Sequence, residues 1–122
     1  MRDHPDGADL LALIGRIEAA DPSVSLPGDE RYKNLMLAHA KAIAARQAQL
    51  GGAPEARELL DLRPLVGGDG GLADLNRRLA AALRGGDFDP GTAGHESARD
   101  HLWRTALERV RESNPKALGG GE

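Results

Sequence analysis

Arg31–Leu50, RYKNLMLAHAKAIAARQAQL, decides the fold. It lies in the longest stretch without Gly or Pro. On a 3.6-residue repeat, Tyr32, Leu35, Met36, His39, Ile43, Arg46 and Leu50 share one stripe, which predicts a single amphipathic helix. Tyr32, His39 and Arg46 run down its middle, seven residues apart. A core-facing stripe ordinarily keeps charge off its centre line. The spacing therefore predicts a polar seam along an inward edge. That seam has three readings: an acid/base or anion-binding pair in a groove, a satisfied internal network, or a face against a second subunit. In the second reading, His39 bonds a neighbouring helix and Arg46 pairs with a carboxylate such as Asp61 or Asp9.

Working toward the N-terminus, DPSVSLPGDE is a linker with two prolines, and Asp29 and Glu30 suit the start of a helix through its dipole. Before it, Leu10, Leu11, Leu13, Ile14 and Ile17 cover a broad arc, which predicts a well-buried helix ending near Ala20. Asp6 can cap it, with Asp9 as the capping-box partner.

Toward the C-terminus, Gly51-Gly52 ends the central helix. Pro54 opens a third, with Leu59, Leu62 and Val66 inward. Pro64 predicts an end or a kink near Arg63. GGDGG (67–71) breaks the chain. The fourth helix, LADLNRRLAAALR, carries Leu72, Leu75, Leu79, Ala82 and Leu83 on one stripe and ends at Gly85-Gly86. DFDPGTAG is a loop with Phe88 as a hydrophobic plug. The last helix starts near Thr92 or His95 and runs to about Ser113, with Ala98, Leu102, Trp103, Ala106 and Val110 facing inward. Asp100 with Arg104, and Arg104 with Glu108, are i,i+4 pairs on its outer face. Pro115 stops it.

No segment alternates with β-branched residues, so no sheet is expected. The pattern predicts an all-α fold: a compact bundle of about five helices, mostly antiparallel neighbours joined by short loops. Residues 1–118 form one helical domain, and 119–122 a flexible tail.

Composition narrows the function classes. The chain has 122 residues, 16 basic and 19 acidic, for a formal charge of −3. That lacks the basic excess of a nucleic-acid binder or a polybasic membrane anchor. Nothing approaches the ~20 apolar residues of a membrane span. The opening MRDHPDGADLLALIGRIEAA has no uninterrupted apolar run of the signal-peptide kind. With no Cys, disulfides, thiolate catalysis and Cys-based zinc are excluded. A cytoplasmic location is the default. Aromatic residues are 2% of the chain, so the core must be Leu, Ile, Val and Ala, with helices approaching closely through Ala. Thirteen Arg against three Lys, with abundant Ala and Gly, suggest a GC-rich bacterial source.

Catalytic motifs are thin, and no cofactor is expected. GGDGG before a helix resembles a phosphate loop, but no strand precedes it and no Lys-Ser or Lys-Thr follows, so it reads as a linker. His95-Glu96 opens like a zincin helix, yet the second ligand position holds Arg99, and no metal is expected. No Gly-x-Ser-x-Gly elbow exists. On the fourth helix Asn76 is a mediocre helix former, while Arg77 and Arg78 place cations on its flank, either solvated or, at Arg78, bonded into the core or offered to an acidic partner.

Three stretches, AHAKAIAARQ (38–47), LNRRLAAALR (75–84) and ESNPKAL (112–118), together with Pro5-x-x-x-x-Leu10-Leu11, resemble a bacterial family known only as a domain of unknown function (family 6285). The family pattern has Asn where this chain has His39 and Glu where it has Gln47, which points to a hydrogen-bonding role at position 39. The resemblance implies a small helical accessory protein, encoded beside aminoglycoside-phosphotransferase-like kinases and acyl-CoA-dehydrogenase-like flavoproteins. It marks His39, Arg46, Asn76, Arg78, Asn114 and Pro115 as positions of interest. The leading expectation is a non-enzymatic protein that binds such a partner. The rival is a small-molecule or acyl-CoA binding protein or enzyme with a pocket at His39 and Arg46, with Tyr32, Asn76, Arg78 and Asn114 as further binding candidates. A homodimer built on the central helix is a third expectation.

Overall fold

The computed structural model describes residues 1–119; residues 120–122, in the expected flexible tail, lie outside the described residues. Five α-helices follow in order: α1 (Gly7–Glu18), α2 (Glu30–Leu50), α3 (Ala53–Val66), α4 (Leu72–Arg84) and α5 (His95–Ser113). A 3-10 turn, Pro115–Leu118, completes the order. Among the described residues there are no strands, and the fold is an all-α bundle.

Local chemistry sets most of the boundaries. Asp6 caps α1, its side chain accepting from the Asp9 N–H at 3.0 Å while the Asp9 carboxylate accepts from the Asp6 N–H at 3.0 Å. Asp29 is the N-cap of α2 and accepts from the Tyr32 N–H at 2.9 Å. Gly51 ends α2 at φ +62°, a conformation that side chains with a Cβ rarely adopt. Pro54 sits in the first turn of α3, where its missing N–H costs nothing.

At Pro64 the outcome differs: α3 does not end near Arg63 but continues to Val66. The carbonyl deprived of its donor belongs to Leu60, which is 66% exposed, so water can satisfy it.

The main apolar core lies between α3 and α4. Leu62, Leu75 and Leu79 are buried, and Leu59, Val66, Leu72 and Phe88 pack around them. Each buried Leu is worth about 1.5–3 kcal/mol. Phe88 plugs the core from the α4–α5 loop, its carbonyl accepting from His95 Nδ1–H at 2.9 Å. The stripe expected on α4 is confirmed at Leu75 and Leu79, while Leu83 is exposed.

α1 and α2 pack against each other, and their backbones nearly touch. A Cβ on Gly7 would lie 3.2 Å from the Ala44 Cα, so the small-residue approach expected from composition is realised here. The prediction of a well-buried α1 is corrected. Ile14 is buried, but Leu11 and Leu13 are exposed. The helix packs mainly on α2, and one neighbour cannot cover a broad apolar arc.

Two inward faces are rotated from their predicted positions. On α2 the buried residue is Ala44, while Tyr32, Leu35 and His39 are exposed. On α5 the buried residues are Ala98, His101 and Glu112, while Leu102 and Trp103 face solvent. α5 thus turns a polar stripe inward and its largest side chains outward. On this face Glu112 pairs with Arg2 of the N-terminal segment, and Glu108 and Arg104 pair with Arg57 and Asp61 of α3.

Candidate functional site

Among the described residues, three charged or titratable side chains are buried: Glu58 on α3, and His101 and Glu112 on α5. A buried carboxylate is tolerated only when paired and hydrogen-bonded, so their partners define a built polar site.

Glu112, 2% exposed, is the centre of the first cluster. Arg2 Nε donates to its Oε1 and Oε2 at 2.9 and 3.0 Å. Arg109 Nη2 donates to Oε1 at 3.2 Å. From α2, Arg46 Nε donates to the Glu112 backbone carbonyl at 2.6 Å, and Arg46 Nη2 to the Ser113 carbonyl at 3.2 Å. Arg46 thereby caps the negative end of the α5 dipole. Its partner is a helix terminus rather than Asp61 or Asp9, which pair with Arg104 and His4.

Glu58 is held from two sides. Asn76 Nδ2 donates to its Oε2 at 3.0 Å and to the Leu72 carbonyl at 3.0 Å, and the Met1 amine pairs with Oε1. Asn76, a weak helix former, therefore serves as a tie between α4 and α3.

A second cluster lines the groove between α3 and α5. Glu108 Oε1 accepts from Arg57 Nη2 at 3.2 Å and from Arg111 Nη1 at 3.4 Å, and Arg104 Nη2 lies 3.1 Å from Asp61 Oδ2. These residues surround a cavity of about 220 Å³. A neighbouring cavity of about 430 Å³ is lined by His101, Asp61, Arg104 and Ser97, with Leu60 and Phe88 as apolar wall. Glu108 Oε2 and His101 Nδ1 are buried without a hydrogen-bond partner among the described residues. Burial pushes the His101 imidazole below the ordinary histidine range, against the upward pull of Glu58 and Asp61. A neutral imidazole with a free Nδ1, and a carboxylate oxygen awaiting a donor, can bind a small polar molecule or water.

Of the residues singled out in the sequence, Arg46 enters the Glu112 cluster and Asn76 holds the buried Glu58. Asn114 adjoins the Glu112 cluster, ending α5 directly after Ser113. Arg78 is exposed and donates to the Gly67 carbonyl at 3.0 Å, tying α4 to the GGDGG loop. Tyr32 and His39 are exposed, apart from the junction, and the predicted inward seam therefore breaks up. Neither His39 nor Arg46 lines the cavities between α3 and α5. Arg2, Glu58, His101, Glu108 and Glu112 were not singled out as site residues by sequence. On α5, a signal existed: Ala98, His101, Thr105, Glu108 and Glu112 repeat at helical spacing, one position off the more apolar stripe.

His4, Asp6 and Asp9 bring potential metal-ligand atoms within 4.8 Å of one another. The carboxylates of Asp6 and Asp9 are engaged in the α1 capping box, and Asp9 also takes His4 Nδ1 at 2.9 Å. Hydrogen bonds from His4 and from the Asp6 backbone hold the Asp9 carboxyl below the usual carboxylate range, and Asp9 raises the His4 imidazole. Among the described residues, no helix is long and apolar enough to cross a membrane.

Residues 24–117 match the family described as Domain of unknown function (DUF6285). No curated protein and no solved structure matches the chain. The match spans well over half of the sequence, and the chain belongs to this family.

Proposed function

We propose that this family member is a non-enzymatic accessory protein that docks a protein partner through the outer face of α5. One observation carries the reading. Trp103, the only Trp in the chain, is 68% exposed, beside Leu102 at 40%. In a protein with so few aromatics, an outward Trp is a large apolar anchor, and Trp is enriched among residues that dominate binding energy. Arg99 and Asp100 flank the pair in a shallow groove and supply a polar rim. The partner class is a kinase-like or acyl-CoA-dehydrogenase-like enzyme, and the compartment is the cytoplasm.

The test is co-purification of the full chain with the candidate enzyme encoded beside it. Retention that is lost with Trp103→Ala supports the reading. Absence of retention, or retention indifferent to Trp103→Ala, overturns docking at this face.

A second reading, a small-ligand binding protein, is favoured by the unpartnered His101 Nδ1 and Glu108 Oε2. It places the ligand between α3 and α5 rather than at His39 and Arg46. A small polar ligand that raises the unfolding temperature of the wild type, and not of Glu108→Gln, would favour it over docking. The homodimer reading has its support in Leu11, Leu13, Tyr32 and Leu35, all exposed on α1 and α2. Light scattering decides it.

A further inference from the structure

The segment before α1 reaches into the bundle at one residue. Arg2 is mostly buried, its side chain 14% exposed, and it spends two nitrogens on three acceptor groups. Nε faces the Glu112 carboxylate at 2.9 and 3.0 Å. Nη2 faces the Gly51 carbonyl at 2.7 Å and the Gln47 carbonyl at 3.4 Å. The Arg2 backbone N–H is also held, by Glu55 Oε2 at 3.0 Å.

The receiving groups lie within the family-matched residues 24–117, and Arg2 lies outside them. α2 has no basic residue in its last turn, so Arg2 meets the negative end of that helix from a separate segment. Glu112 Oε2 has Arg2 as its hydrogen-bond donor, since Arg109 reaches Oε1. Two distinct nitrogens of one planar group are in use. A single ammonium nitrogen cannot occupy both places, whereas a guanidinium presents its donors in a fixed fork.

We propose that the Glu112 carboxylate with the Gln47 and Gly51 carbonyls forms a guanidinium-recognition socket, filled in cis by Arg2 and able to accept a guanidinium group in trans when Arg2 is withdrawn. The ligand class is a guanidinium ion or the arginine side chain of another polypeptide. With Arg2 withdrawn, Arg109 stays on Glu112 Oε1 and the buried Oε2 is left without its donor, which favours such a cation.

The experiment uses full-length Arg2→Ala, with N-methylguanidinium as the probe and methylammonium at equal concentration as the comparison. Arg2→Ala unfolds at a midpoint lower than wild type by about 5 °C. Millimolar N-methylguanidinium restores at least half of that shift, saturably, while methylammonium restores none and wild type does not respond. An unchanged midpoint in Arg2→Ala, or equal recovery with both cations, overturns the socket. Adding Glu112→Gln to the Arg2→Ala background abolishes the recovery, and recovery that survives it also overturns the proposal. Should Arg2→Ala fail to fold, the wild-type protein supplies the reading by NMR. An Arg2 Nε–H protected from solvent exchange supports the socket, and one that exchanges as a free arginine does overturns it.

Discussion

Arg46 on α2 and Glu112 on α5 meet backbone-first: the guanidinium Nε donates to the Glu112 carbonyl at 2.6 Å, not to its carboxylate. Arg46→Ala strips two bonds from the end of α5. With Ser113 exposed and able to take water, the loss is about 1–2 kcal/mol, or several degrees of unfolding temperature. Arg46→Lys should recover only part of it, because one ammonium replaces a two-pronged fork. Chemical denaturation of the three proteins checks the order.

His101 makes stability depend on pH. Its folded pKa lies below the unfolded value of about 6.5, so the folded state binds fewer protons. Its contribution is complete above about pH 6.5 and is lost as pH falls through the folded value. His4 has the opposite sign: Asp9 raises its pKa, so its contribution is present below about pH 6.5 and is lost as pH rises through the folded value. Urea midpoints at about pH 7.5 and about pH 5.5 should therefore fall less on acidification in His101→Phe than in wild type, and more in His4→Ala. Identical pH slopes in all three proteins would contradict the burial of the imidazole.

Two glycines of α1 should respond with opposite signs to Ala. A Cβ at Gly15 meets nothing within 4 Å, and Gly15→Ala gains about 0.5–1 kcal/mol of helix propensity. At Gly7 a Cβ would sit 3.1 Å from Gln47 Oε1 and 3.2 Å from the Ala44 Cα, so Gly7→Ala forces the helices apart. The cost is about 1–3 kcal/mol. Thermal unfolding of the two variants settles the sign.

Trp103 reports directly on which way α5 is turned. Its fluorescence should match that of a solvated indole in position and in accessibility to a soluble quencher. Trp103→Ala should change stability by no more than about 0.5 kcal/mol, since the side chain is 68% exposed. Blue-shifted, quencher-resistant emission would restore the inward orientation that periodicity predicts.

What the sequence reveals and conceals follows the range of the interactions. The Asp6–Asp9 box, the Gly51 stop and the Leu75–Leu79 face of α4 are set by neighbours within about one or two helical turns, and each was readable. The rotation of α5 was not, because inward polarity becomes tolerable only once distant partners are known; on α2 the reverse holds, since Tyr32 and His39 face outward and the small Ala44 is buried. Arg2 and Glu112 stand 110 residues apart, and Arg46 and Glu112 66 apart. Hydrophobic periodicity follows apolar residues alone, so it turned Leu102 and Trp103 inward and gave no inward place to Glu112 or His101. Asn76 and Arg46 were found as unusual residues, while the carboxylate and the carbonyls they serve were not.

The packing of α1 and α2 rests on Ile14, Ala44 and a glycine contact, remote from the leucines of α3 and α4. Polar ties from Arg46 and Arg2 join α2 to α5. The molecule therefore has a built-in parting line, along which backbone amides of α1 and α2 exchange with solvent sooner than those surrounding Leu75. Whatever engages the ties at that line also sets how often the two halves separate.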